Sequence, residues 1–127
     1  MIIKNGLVVD PALGLSEKMD LAIENGTILK IGKNIDTDQV SNDTEVLDAT
    51  GLVVAPGLID THVHFRDPGF TYKEDLHTGA LAAAKGGFTS VICMANTSPV
   101  VDSLPVLKDL IDREKNGDIR IFQAAAI

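Results

Sequence analysis

Residues 55–69 read A-P-G-L-I-D-T-H-V-H-F-R-D-P-G. A short apolar run, Leu58-Ile59, leads into His62 and His64, and Arg66 follows two residues later. Along a β-strand, residues two apart share a face. Asp60, His62, His64 and Arg66 therefore point the same way for as long as the strand persists. Two neutral imidazoles at that spacing can hold one divalent metal such as zinc. An arginine just beyond them can grip a carboxylate in a bidentate fork. The stretch predicts half of a metal site with a substrate anchor beside it.

Downstream, the pattern alternates. Leu58 to His64 reads as a strand. Thr71-Tyr72-Lys73-Glu74 has the spacing of a helix capping box, with Thr71 at the cap and Glu74 three residues on. The helix is expected to run to Lys85 and stop at Gly86-Gly87. Its alanines (Ala80, Ala82, Ala83, Ala84) allow close packing on a sheet. Thr89 to Met94 is β-branched and apolar, a second buried strand. Asp102 or Ser103 can cap a second helix with Pro105 in its first turn. Leu104, Leu107, Leu110 and Ile111 give that helix one apolar stripe, and Arg113 and Lys115 lie near its end, before Gly117. Ile119 to Ile127 reads as a third strand. Strand, helix, strand, helix, strand with short loops predicts a parallel sheet with right-handed crossovers. A (β/α)8 barrel typically needs about 250 residues, so residues 55–127 amount to under half of one.

Upstream, residues 1–54 read as all-β, a small sheet or sandwich of short antiparallel strands. Asn5-Gly6, between Ile2-Ile3 and Leu7-Val8-Val9, has the form of a two-residue hairpin turn, and Asn25-Gly26 repeats it. Glu45 to Leu47 and Leu52 to Val54 are expected to pair around Thr50-Gly51. Asn34 to Thr44 is polar and reads as an exposed loop. No group of titratable residues converges here, so this part is expected to be scaffold.

The 127 residues suffice for a core, and a net charge of −7 argues against a partner in nucleic acid or at a membrane surface. Lys4 and Asn5 interrupt the opening before a signal-peptide core can form, and no apolar run reaches the length of a membrane span. The single cysteine, Cys93, has no internal disulfide partner and fits a reducing cytoplasm. Its apolar neighbours make it a small core residue rather than a catalytic thiol.

In parallel α/β folds, reactive groups gather at the C-terminal ends of the strands. His62, His64 and Arg66 lie at that end of the first strand, and Asn96 lies just past the second. An amide and a guanidinium from neighbouring strand ends could converge on one ligand. Asp60 is open to two readings: a partner supporting a histidine, or a polar residue closing the strand. Asp67, beside Pro68-Gly69, is first a turn former. His77 reads as a surface or packing residue of the first helix, and Tyr72 and Lys73 as helix-start residues. Hydrolytic metal sites usually have at least three protein ligands and a general acid or base. The chain has no further His or Cys at a strand end.

The stretch P-G-L-I-D-T-H-V-H-F-R-D-P-G resembles the first barrel strand of the amidohydrolase superfamily. Its H-x-H-x-R form with Asp-Pro-Gly, followed by Y-K-E-D-L-H-T-G-A-L-A-A-A-K-G-G-F-T-S-V and M-A-N-T-S-P-V-V-D, resembles bacterial dihydroorotases of the larger, type I class. The resemblance spans the whole chain. It implies an α/β fold: the first βαβαβ units of a partial (β/α)8 TIM barrel over residues 55–127, after a small β-sheet or sandwich domain over residues 1–54. It also implies zinc-dependent, reversible cyclisation of N-carbamoyl-L-aspartate to L-dihydroorotate in pyrimidine biosynthesis. His62 and His64 match the metal ligands; Arg66 and Asn96 match residues that hold the substrate carboxylate. Ala95 stands where the family usually has proline, and Asp67 where it often has glutamate.

The family's general base and remaining ligands lie on later strands, so they are expected beyond Ile127 and no catalytic base is assigned here. The chain is accordingly expected to be an incomplete, inactive piece of a cytoplasmic homo-oligomer. Two alternatives remain: another cyclic-amide hydrolase such as a hydantoinase or allantoinase, or a non-catalytic relative acting as a partner protein. Arg66 with Asn96 favours dihydroorotate, because an uncharged ring needs no carboxylate clamp.

Overall fold

The computed structural model describes residues 1–36, 44–114 and 117–127. The chain divides into two compact units, Met1–Pro56 and Gly57–Ile127, and together they make a mixed α/β protein with a small sheet unit at its start.

In the first unit, β1 (Ile2–Asp10), β2 (Leu15–Glu24), β3 (Thr27–Gly32), β4 (Val46–Asp48) and β5 (Val53–Val54) form one sheet. Its order is β3-β2-β1-β4, with β5 also on β1. Asn25-Gly26 is the expected hairpin turn: both residues have positive φ, 49° and 73°, and they join β2 to β3.

Asn5-Gly6 is not a hairpin. β1 runs straight through it, with a register shift between Ile3 and Gly6 opposite β2. Asn5 sits in the left-handed region at φ 64°, which inserts one extra residue as a β-bulge. The cause is tertiary. The Asn5 backbone N–H donates to buried Asp20 Oδ1 at 2.8 Å, and its Nδ2 to Asp48 Oδ1 at 3.2 Å. A turn at Pro11 to Gly14 makes the real reversal.

The expected pairing of Glu45–Leu47 with Leu52–Val54 is also replaced. β4 and β5 each pair in parallel with β1, on either side of the bulge, so the sheet is mixed rather than antiparallel. Of the expected loop from Asn34 to Thr44, residues 37–43 lie outside the described residues. Ile35 is no loop residue: it is 1% exposed and packs on Ile2 and Ala22.

In the second unit, β6 (Leu58–Val63), β7 (Phe88–Cys93) and β8 (Arg120–Gln123) form a parallel sheet in the order β6-β7-β8. The connecting helices are α1 (Leu76–Lys85) and α2 (Leu104–Glu114). The capping box exists but is set four residues later than expected. Asp75 is the N-cap: its side chain accepts from the Thr78 backbone N–H at 2.8 Å while the Thr78 hydroxyl faces the Asp75 N–H. Residues 71–73 form a turn before it, and the helix ends at Gly86 as its sequence predicts.

The apolar stripe of α2 is rotated from expectation. Leu110 is fully buried, with Val106 and Leu107 packed beside it, while Leu104 is 80% exposed and Ile111 is exposed too. The core also takes Phe65, Leu76, Ala80, Val91, Cys93, Val101 and Ile119. Cys93 is buried there, and burial pushes its thiol pKa up to about 12, so it is an inert packing group. Among the described residues, no helix is long and apolar enough to cross a membrane.

Candidate metal and carboxylate site

The first strand of the parallel sheet does not alternate cleanly. Asp60 pairs with Val91 and Val63 with Cys93, so three steps on β6 match two on β7. One extra residue is inserted, and the faces exchange across it. Asp60 therefore shares a face with Val63 and Phe65, and lines a cleft with them against Gly79 and Ala83 of α1.

His62 and His64 face the other way. They line a second cleft with Met94, Ala95, Asn96, Val100 and Ala126. The expected common face of Asp60 with the histidines is thus broken. Asp60 instead accepts the His62 backbone N–H at 2.9 Å through Oδ1, which holds the bulge. Asp60 lies within β6 rather than at its end and meets His62 through the main chain, so it does not close the strand and, among the described residues, supports no imidazole.

The histidine rings lie with centroids 5.2 Å apart, edge to face. Imidazoles binding one tetrahedral zinc at about 2 Å have centroids roughly 5 Å apart, a spacing that this pair matches. His64 Nδ1 lies 2.9 Å from Asn96 Oδ1. An amide oxygen only accepts, so with Oδ1 as the partner the bond takes the proton of the Nδ1–H tautomer, in which a neutral ring keeps its lone pair on Nε2. Asn96 thus supports a histidine directly, a contact that strand spacing could not reveal. The two imidazoles are only part of a donor set: no group of three or more His, Cys, Asp or Glu able to hold a metal occurs among the described residues.

Asn96 is presented by a tight loop. The Thr97 and Val101 backbone N–H groups both donate to the Ala95 carbonyl, at 2.9 and 3.1 Å. The parallel ladder continues past the strands, with Met94 N–H on the Val63 carbonyl and Ala124 N–H on the Cys93 carbonyl, each 2.9 Å. Three strand ends therefore meet at the cleft.

Arg66 is placed differently from expectation. The strand stops at Val63, Phe65 turns into the core against Gly79, and Arg66 adopts φ 63°. Alternation is lost before Arg66, which is not among the residues lining the histidine cleft. Its guanidinium has no hydrogen-bond or ion-pair partner among the described residues.

Asp67 is more than a turn former. It is buried, and both its oxygens accept from Arg113, Oδ2 from Nη1 and Oδ1 from Nη2, at 2.9 Å each. Those hydrogen bonds hold the Arg113 guanidinium pKa above its ordinary value. A larger cleft between α1 and α2 includes this pair, with His77, Glu114 and Asp118. His77 is exposed on α1, as expected of a surface residue. Tyr72 and Lys73 lie in the turn before α1, with the Lys73 ammonium 5.4 Å from the Tyr72 ring centroid and 5.6 Å from that of Phe70.

The Dihydro-orotase-like family model matches residues 51–126. A dihydroorotase of Clostridioides difficile (strain 630) is 53% identical over 127 residues, which is all of this chain and 30% of that protein. One from Streptococcus thermophilus (strain CNRZ 1066) is 51% identical, again over all of this chain and 29% of its own length. The chain thus spans under a third of the curated relatives it matches.

Among solved structures, the L-hydantoinase (dihydropyrimidinase) of Arthrobacter aurescens superposes with a TM-score of 0.83 at 25% identity, covering 98% of this chain and 27% of that one. A D-hydantoinase gives 0.74 at 32% identity, covering 99% and 27%. With the model match covering well over half its length, the chain belongs to the dihydro-orotase-like family.

Proposed function

We propose that this chain forms the metal- and carboxylate-binding corner of a dihydroorotase, an enzyme that interconverts N-carbamoyl-L-aspartate and L-dihydroorotate. In this reading residues 55–127 are the opening strands of a (β/α)8 barrel and residues 1–54 are a separate small β domain. The observation that carries it is the meeting of His62, His64 and Asn96 in one cleft at the ends of β6 and β7. The dihydroorotase relatives, at about half identity over the whole chain, support the same choice.

His62 and His64 are the metal ligands. Asn96 holds His64 in the tautomer whose Nε2 is free and offers its amide N–H groups to the substrate. Arg66, whose guanidinium has no partner among the described residues, closes on the substrate carboxylate as the ring binds. Zinc bound there would polarise the ring amide and acidify a water for its attack. The enzyme is read as a cytoplasmic homo-oligomer acting on small molecules.

The hydantoinase reading draws on the structural neighbours but has no use for a carboxylate anchor. The test is turnover by the gene product that carries this sequence, offered L-dihydroorotate and dihydrouracil, with zinc measured on the same sample. Preference for dihydroorotate is expected, and preference for dihydrouracil overturns the assignment.

A further inference from the structure

The turn that carries Arg66 is held from two sides. On one side, Asp67, the next residue, is forked by Arg113 from α2, 46 positions away, at 2.9 Å through both oxygens. Arg113 is itself aimed by Asp109, one helical turn earlier, whose Oδ2 accepts from Nε at 3.1 Å. On the other side, the Ser98 N–H donates to the Pro68 carbonyl at 3.1 Å. A Cβ on Gly69 would lie 1.9 Å from the Ser98 carbonyl oxygen, so the two loops are in van der Waals contact at the backbone. Ser98 is two residues from Asn96. The turn after β6 and the loop after β7 are therefore one joined piece; the loop runs on into α2, and the Asp67–Arg113 pair ties the turn to that same helix.

We propose that the Asp67–Arg113 pair is a positioning clamp that sets the distance between Arg66 and Asn96 and so tunes the grip on the substrate carboxylate. Among the described residues Arg66 has no side-chain partner of its own, so its backbone fixes where the guanidinium starts. That backbone is left-handed at φ 63°, a conformation that costs a non-glycine residue energy and persists only when its surroundings hold it. The buried carboxylate at the next position supplies the hold. A bidentate arginine fixes orientation as well as distance, which a lysine does not. The clamp touches neither His62 nor His64, so the metal is outside its reach.

This inference rests on the dihydroorotase reading. The experiment uses Arg113→Met and Arg113→Lys in the gene product that carries this sequence, with orotate and uracil as probes of the ring with and without its carboxylate. Arg113→Met is expected to raise KM for dihydroorotate and Kd for orotate about tenfold, the worth of a charged hydrogen bond. kcat, zinc per chain and the Kd of uracil stay within about twofold, the signature of lost binding rather than lost chemistry.

Arg113→Lys, which keeps the charge without the fork, falls between Met and wild type. The reciprocal exchange Asp67→Arg with Arg113→Asp recovers part of the orotate affinity lost in either single variant. Unchanged orotate affinity in a folded Arg113→Met protein overturns the clamp. So does parallel weakening of orotate and uracil, which marks general loosening. A wild-type protein that does not turn over dihydroorotate overturns the functional reading first, and the clamp with it.

Discussion

Among the described residues, each unit of the molecule buries one aspartate, and the two are satisfied in opposite ways. Asp20, in the β unit, collects main chain: the Asn5 N–H at 2.8 Å and the Ile35 N–H at 3.0 Å, with the Lys4 ammonium 3.2 Å away. Asp67, in the α/β unit, is satisfied by one long side chain reaching from another element. A carboxylate that binds backbone fixes a chain path and leaves nothing to adjust. One that binds a half-exposed arginine fixes a path through a contact that can be tuned. The first arrangement suits scaffold. The second lies beside the residues that the functional reading assigns to the substrate.

The contrast can be broken by substitution. The largest effect is expected at the loop contact of the α/β unit. Gly69→Ala places a methyl group against the Ser98 backbone at a residue with φ 90°. It should cost about 3 kcal/mol of stability, read as a lowered midpoint in denaturant unfolding. A change under about 1 kcal/mol would mean the two loops are not joined. Leu110→Ala, at the fully buried position of α2, is expected to cost a similar amount, about 3 kcal/mol.

Asp20→Asn should cost about 2 kcal/mol, because the Lys4 ammonium and two backbone donors lose their shared acceptor charge. The pH dependence has a defined sign. Burial alone would raise the Asp20 pKa, but the Asn5 and Ile35 amides and Lys4 outweigh it and hold the group below its ordinary value of 3.8. Its contribution is therefore fully present above that value and is lost as pH falls through the lower folded one. Acid titration of stability should show this loss in wild type and not in Asp20→Asn; identical acid profiles would remove Asp20 from the account.

Asn96→Ala frees the His64 ring and is expected to weaken zinc binding about tenfold, by analogy with other residues that orient ligands. Competition with a chelator measures it, and unchanged affinity would remove Asn96 from the metal site. The smallest effect is expected for Leu104→Ala, within about 0.5 kcal/mol, since that leucine is solvent-exposed. A cost near that of Leu110→Ala would restore the stripe read from the sequence.

What was legible in the chain followed from local chemistry. The βαβαβ order came from apolar runs and glycine stops, and the hairpin at Asn25-Gly26 from two residues that tolerate positive φ. The same dipeptide at Asn5-Gly6 misled, because its left-handed residue could serve a bulge as well as a turn. The choice was made by Asp20 and Asp48, 15 and 43 positions away. The capping box at Thr71 to Glu74 was a valid pattern in the wrong frame; Asp75 with Thr78 supplied a second. The helix stripe failed at its ends because periodicity identifies a face only to within about one residue, and Val106 fits the sheet where Leu104 does not.

At the site, sequence alone determined the chemistry on offer: two imidazoles, a guanidinium and an amide at the ends of adjacent parallel strands. Those identities follow from residue type and from the period of a strand, both local. Tertiary structure decided which of them meet. A bulge in β6 sent Asp60 to the helix side and kept His62 with His64. A left-handed Arg66 took the guanidinium out of the strand's alternation, and the partners of Asp67 and His64 came from 46 and 32 residues away. Register shifts and long-range pairs are settled by packing, which no window of sequence contains.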